Sequence, residues 1–160
     1  MNWEIKEQPD KEILEELHSK LNIPKFICTL LLQRNIDSLK LAQSYFRPNL
    51  DDLHDPFLMK DMDKTVDRLI RAIESSEKIM ILGDYDVDGT TSVSMLYDYF
   101  KKKTLDPIYY IPDRYKEGYG VSDESIDFAE ENNVSLLITI DCGIKANDKI
   151  ESANTKGIDV

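Results

Sequence analysis

The run Ile79-Met80-Ile81-Leu82, four consecutive apolar residues closed off by Lys78 and Gly83, constrains the fold more than any other stretch of this 160-residue chain. It is too short for a buried helix, which takes about ten residues or more. It reads instead as a strand covered on both faces, the kind found in parallel sheets. One cover lies just upstream, where Met62, Val66, Leu69, Ile70 and Ile73 mark an amphipathic helix that begins near Asp61. Downstream the pattern alternates: a helix over about 90–103, a strand near Ile108–Ile111, a helix from Ser122 to about Asn132, and a strand from Val134 to Ile140. A helix over about 145–155 follows, and Ile158-Asp159-Val160 has the look of a further strand beginning. Strands alternating with helices predict an α/β fold with a parallel, doubly wound sheet. Because the sequence stops on an apparent strand, it reads as a fragment with an incomplete domain.

Before Asp61 the helices are shorter. Ile13, Leu14, Leu17 and Leu21 share one face of a helix that starts after Asp10, Pro24 suits the first turn of a second through about Arg34, and Ser38 caps a third to about Phe46. Pro48, Asn49, Asp51, Asp52, Asp55 and Pro56 make 47–58 a loop, so the expected division is a helical N-terminal region over 1–58 and an α/β part over 59–160. With 41% hydrophobic and 32% charged residues, 6 Gly and 6 Pro, the composition is globular and excludes collagen-like, low-complexity and disordered classes. Nothing approaches the ~20 apolar residues that span a bilayer, and the first residues lack the basic start and apolar run of a secretory signal. Cys28 and Cys142, far apart and in no metal-type spacing, read as ordinary buried residues of a reducing compartment, so the expected location is the cytoplasm, with no membrane partner. The net charge of −11 argues against attachment to nucleic acid by bulk electrostatics; contact would need a local basic path or metal ions.

In sheets of this kind ligands bind beyond the carboxyl ends of the strands, and here those ends carry carboxylates. The first strand runs into Asp84-Tyr85-Asp86-Val87-Asp88-Gly89 and the third into Asp141-Cys142-Gly143. Asp84, Asp86 and Asp88 alternate, so an extended segment puts all three on one side, where repulsion is severe without cations. Such hard oxygen donors suit Mg²⁺ or Mn²⁺, and Asp141 on another strand end is placed to bridge two ions. The plain alternative is a solvated turn whose aspartates cap a helix beginning near Thr90, though a cap requires only one carboxylate. A calcium loop would put Asp84, Asp86, Asp88 and Gly89 at its positions 1, 3, 5 and 6, but its twelfth position is Met95 where a bidentate Glu belongs. Asp86-Val87-Asp88-Gly89-Thr90 also resembles the aspartyl-phosphate turn of haloacid dehalogenases. Against this, Gly83-Asp84-Tyr85 separates it from the strand, and Asp141 stands where those enzymes use Ser or Thr. Walker-type and dinucleotide-binding glycine motifs are missing, which argues against nucleoside triphosphate hydrolysis and dinucleotide oxidoreduction.

The run Ile81-Leu82-Gly83-Asp84-Tyr85-Asp86-Val87-Asp88-Gly89-Thr90-Thr91-Ser92 resembles the first motif of the DHH phosphoesterase superfamily, in the form found in RecJ, its branch of single-strand-specific 5′→3′ DNA exonucleases. Asp55–Met62, Pro112–Gly120 and Thr139–Ile144 agree in the same order, and the likeness covers about residues 44–160. It implies a DHH-type, Rossmann-like sheet and metal-dependent hydrolysis of single-stranded DNA from the 5′ end, in recombination and repair. By the resemblance, Asp86 and Asp88 each hold one of two Mn²⁺ or Mg²⁺ ions and Asp141 bridges them. Asp84 stands in for a His that many relatives carry at the position of Leu82, or supports the site from behind. The family's Asp-His-His motif is expected after the strand that starts at Ile158, and a last Asp ligand later still. The fragment alone is therefore expected to be inactive, and His18 and His54 to be surface or structural residues.

For substrate, Thr90-Thr91-Ser92 would open a helix whose N–H groups face a phosphate, with ordinary hydroxyl capping as the equal alternative for each residue. Arg114 and Tyr115, in a segment interleaving aromatics with basic residues, become candidates for lining the path of single-stranded DNA. Gly118 and Gly120 shape that loop, Lys101-Lys102-Lys103 is a solvated helix end, and Cys142 is a small neighbour rather than a ligand. Two divalent ions would offset four of the −11 charges. Two other readings remain: a DHH-type phosphatase acting on small phosphoesters or oligonucleotides, and a non-catalytic fragment whose N-terminal helices dock other DNA-repair proteins.

Overall fold

Helix α1 (Lys11–Leu21) begins where the Asp10 carboxylate accepts the N–H groups of Glu12 and Ile13, and it ends at Asn22 in the left-handed conformation. Helix α2 (Lys25–Leu32) follows Pro24, and α3 (Leu39–Phe46) starts at Ser38, whose hydroxyl accepts the Leu41 N–H. Each side-chain cap satisfies donors that a helix start leaves unpaired. Leu17, Cys28, Leu31 and Ala42 are buried together between these helices. His18 Nδ1 lies 2.6 Å from the Ile23 carbonyl, a structural contact, and His54 is exposed. The segment expected as loop holds two single 3₁₀ turns, Leu50–Asp52 and Pro56–Leu58. This computed structural model describes residues 3–103 and 106–160. The helices just described belong to a compact unit that ends at Leu58, and a second unit runs Met59–Val160.

In the second unit α4 (Met62–Glu74) leads into β1 (Ile79–Gly83), then α5 (Val87–Lys102), β2 (Ile108–Tyr110), α6 (Asp123–Glu131), β3 (Leu136–Ile140) and α7 (Asn147–Thr155). Strand β1 is central in the order β2-β1-β3, with Ile81 opposite Tyr109 on one side and Ile138 on the other, all parallel. The further strand expected at Ile158 is present as one parallel bridge, Leu136 to Asp159.

Alternation along the strands sends Met80, Leu82 and Leu137 to one layer, with Ile126 and Ala129 of α6 and Ala153 of α7. Ile79, Ile81 and Leu136 go to the other, with Ala72 of α4 and Val93 and Phe100 of α5. The sheet is thus doubly wound, as expected. All five residues of β1 are buried, and each of its large apolar side chains contributes about 2 kcal/mol. Arg68 of α4 ties that helix to the opposite end of the sheet, donating to Glu77 at 2.7 Å and Asp159 at 2.6 Å. Lys101 and Lys102, at the end of α5, make exposed ion pairs with Asp106 and Asp98. No helix among the described residues is long and apolar enough to cross a membrane.

Candidate metal centre at the carboxyl ends of the strands

From β1 the chain crosses through α5 to β2 on one side; from β3 it leaves through α7 toward Asp159 on the other. The strand order therefore reverses between β1 and β3, and the turns after those two strands border the crevice where ligands bind in such sheets. These are the two turns that carry the aspartates.

Asp84 follows directly on β1 and is 2% exposed, and its Oδ1 has no hydrogen-bond partner. A buried carboxylate oxygen left unpaired is costly and calls for a partner. Asp86 has extended backbone and caps α5: its Oδ1 accepts the N–H of Asp88 at 3.0 Å and of Gly89 at 3.1 Å. Helix α5 consequently starts at Val87 and not near Thr90. The expected extended alternation of Asp84, Asp86 and Asp88 is corrected accordingly: Asp88 arrives on the first helical turn, because the Asp86 carboxylate draws the chain into a helix before a second pleat can form. The same early start leaves no twelve-residue calcium loop over 84–95.

Thr90, Thr91 and Ser92 are corrected with it. They lie past the first turn, the Thr90 N–H donates to the Asp86 carbonyl at 3.0 Å, and the Thr90 hydroxyl donates to the same carbonyl at 2.7 Å. The free helix-start donors expected there are already engaged, those of Asp88 and Gly89 by the Asp86 carboxylate.

Asp141 follows β3 in the left-handed conformation, φ 56°, at an exposed position. Desolvation by the surrounding turns, then the charges of Asp86 and Asp88, push its carboxyl above the ordinary value, with a hydrogen bond to Asp86 and the charge of Asp84 adding further. The turns after β1 and β3 thus bring their carboxylates within electrostatic reach of each other. Among the described residues, however, no three His, Cys, Asp or Glu side chains are gathered closely enough to hold a metal ion. Cys142 beside them is buried, and burial pushes its thiol up, which leaves it protonated and unreactive.

A third segment reaches both turns. The Arg114 guanidinium lies 5.2 Å from the centre of the Tyr85 ring, a cation–π contact with the turn between Asp84 and Asp86. The Tyr119 hydroxyl donates to the Asp141 carbonyl at 3.4 Å. Tyr115, the other sequence candidate, is 93% exposed, and its N–H donates to Asp113. Sequence reasoning singled out Arg114 but missed Tyr85, Tyr119 and Glu117. The Glu117 carboxylate accepts from the Tyr110 hydroxyl at 2.9 Å, the Ser122 hydroxyl at 2.5 Å and the Asp113 N–H at 2.7 Å. Spacing gives no sign of this, although a helix start at Ser122 was legible.

Burial and then the Glu117 hydrogen bond push the Tyr110 phenol up to about 12. Followed by phenolate absorbance, Tyr110 should keep its proton well past the ordinary phenol range and ionise only near pH 12. Its folded value lies above the unfolded one, so the stability it lends is complete below about pH 10 and is lost as pH rises toward about 12. Ionisation of Tyr110 near pH 10, as for a free phenol, would count against the buried pairing.

Comparison with known proteins agrees with this layout. Residues 78–160 match the family model described as "DHH family, N-terminal domain". Across 160 residues the chain is 39% identical to the single-stranded-DNA-specific exonuclease RecJ of Bacillus subtilis (strain 168), of which it covers 20%. Against the Escherichia coli (strain K12) protein of the same name it is 32% identical over 64% of the chain and 18% of that protein. The chain therefore spans about a fifth of the length of these curated relatives. A crystal structure of exonuclease RecJ bound to manganese superposes with a TM-score of 0.57 at 30% identity, over 62% of this chain and 26% of that one. RecJ in complex with Mn²⁺ from Thermus thermophilus shares the fold at a TM-score of 0.67 and 20% identity, over 94% of this chain and 20% of that one. The matched residues take in the whole sheet with both aspartate-bearing turns, and the chain belongs to the DHH family.

Proposed function

We propose that this chain carries the first aspartates of a two-metal centre in an exonuclease that shortens single-stranded DNA from its 5′ end in recombination and repair, in the cytoplasm and beside other repair proteins. The observation that carries the reading is the pair of aspartate-bearing turns bordering the reversal between β1 and β3. The RecJ relatives, with the activity in their name and the manganese in their structures, support it.

The residues fit a hard divalent cation. All donors are carboxylate oxygens, the Asp84 oxygen is buried and unpaired, and the charges on Asp86 and Asp88 already act on Asp141. Asp86, Asp88 and Asp141 would hold Mn²⁺ or Mg²⁺, with Asp84 as a further ligand or a support behind them. Bound ions would supply an activated water and charge neutralisation at the phosphodiester.

The chain's own residues do the rest. Asp86 keeps one oxygen on the start of α5, which fixes the direction of its carboxylate. Arg114 offers a guanidinium at the rim for phosphate, Tyr115 an exposed ring on which a base can stack, and Thr91 and Ser92 hydroxyls along α5. With only part of the ligand set, the chain alone is inactive.

The test uses the natural protein that carries this chain, given 5′-labelled single- and double-stranded DNA with Mn²⁺ or with chelator. Shortening of single strands from the 5′ end, only with metal, is expected. Untouched DNA with hydrolysis of a small phosphoester would replace the exonuclease reading with a phosphatase one.

A further inference from the structure

We propose that Glu117 is a positioning residue, whose carboxylate pins the loop between β2 and α6 so that Arg114 and Tyr119 stand against the two aspartate-bearing turns. Its three donors come from three places: Tyr110 in β2, the Asp113 N–H just after it, and Ser122 at the start of α6. A glutamate in a surface loop ordinarily faces water, yet this one is partly buried, and neutral donors hold it. Burial raises its carboxyl, and the bonds from Ser122, Asp113 and Tyr110 outweigh that and lower it.

The loop it closes is ordered at both ends. Asp113 accepts the N–H groups of Tyr115 and Lys116, and its carbonyl accepts that of Glu117. Gly118 and Gly120, at φ 81° and 96°, flank Tyr119 and turn it back toward Asp141. A side chain at Gly120 would come within 3.4 Å of the Cys142 carbonyl, so the backbone there passes close to the turn after β3. One end of the loop thus meets the turn after β1 through Arg114 and Tyr85, and the other meets the turn after β3 through Tyr119. Neither aspartate-bearing turn uses Glu117 as a partner. Losing it should therefore disturb substrate placement more than metal binding, a consequence that rests on the proposed exonuclease reading.

The test compares the natural protein with its Glu117→Ala and Glu117→Gln variants. Amide exchange over residues 113–120 should speed up, and the nuclear Overhauser contacts between Arg114 and the Tyr85 ring should disappear, in Glu117→Ala. The KM for single-stranded DNA should rise about tenfold, with the Mn²⁺ concentration for half-maximal rate changed less than about twofold. Glu117→Gln should recover most of the loss, because one amide oxygen still accepts from the Asp113 N–H and both hydroxyls can rotate. Unchanged exchange and intact Arg114–Tyr85 contacts in a folded Glu117→Ala protein would overturn the proposal. If that variant does not fold, Tyr110→Phe, which removes one donor, is read by the same exchange. A wild-type protein that leaves DNA untouched would sink the functional reading, while the exchange measurement still decides on Glu117.

Discussion

Asp141→Asn in the natural protein is expected to lower kcat/KM on 5′-labelled single strands with Mn²⁺ by about 10³-fold or more, and to leave the fold at least as stable as before. Asparagine is the informative replacement because Asp141 is left-handed, φ 56°, a conformation that Asn adopts readily and Ala adopts at a cost of about 1 kcal/mol. Alanine would mix backbone strain with the loss of the carboxylate. Desolvation by the surrounding turns and the charges of Asp86 and Asp88 hold the Asp141 carboxyl above its ordinary value. The sign follows: an acid whose folded value is raised favours the fold when protonated, and that contribution is lost as pH rises through the raised value. At neutral pH ionised Asp141 works against folding, and the amide removes that opposition. Activity lost with stability kept or gained is the pattern of a residue retained for chemistry. Asp98→Asn, at an exposed ion pair on α5, should change neither. A thermal midpoint that falls while cleavage persists would make Asp141 structural and end its assignment as a ligand.

What could be read from the sequence follows from which forces are local. The strand at Ile79 was legible because four apolar residues between Lys78 and Gly83 leave no other element that buries them, and the structure buries them all. The starts of α1, α3 and α6 were legible because Asp10, Ser38 and Ser122 act through N–H groups two or three residues away. The start of α5 was not, although its cap is equally local. Asp84-Tyr85-Asp86-Val87-Asp88 fits a period of two as an extended ligand strip and also fits an N-cap at Asp86, and one string cannot separate them. Packing decides, since Gly89 must sit against the Asp84 backbone. Burial of Asp84 with an unpaired oxygen, and the Tyr119 contact across 22 residues to Asp141, have no sequence signature. Glu117 looks solvated in a charged loop until β2 and α6 bring Tyr110 and Ser122 to it.

Gly89→Ala is expected to destabilise the second unit by about 3 kcal/mol in denaturant unfolding, and to weaken Mn²⁺ binding with it. Helix propensity alone predicts the opposite: Gly89 lies inside α5, is absent from the left-handed positions, and Ala is about 1 kcal/mol better in a helix interior. The space decides otherwise. A Cβ at Gly89 would meet the Asp84 carbonyl oxygen at 2.2 Å, and the Asp84 carbonyl carbon and amide nitrogen at 2.7 Å each. Those atoms are main chain at the end of the central strand, so no rotamer change makes room, and α5 must move off β1. Such a shift carries Asp86 and Asp88 away from Asp84 and Asp141, which couples the fold's stability to the site. Gly83 supplies the contrast, because a Cβ there meets the Val93 Cγ2 at 2.3 Å, a side chain, as its nearest atom. Gly83→Ala should therefore be partly relieved by Val93→Ala in a double-mutant cycle, whereas no side-chain truncation relieves Gly89→Ala. A Gly89→Ala protein as stable as the wild type would mean that β1 and α5 do not approach this closely, and the placement of Asp86 and Asp88 would fall with that contact.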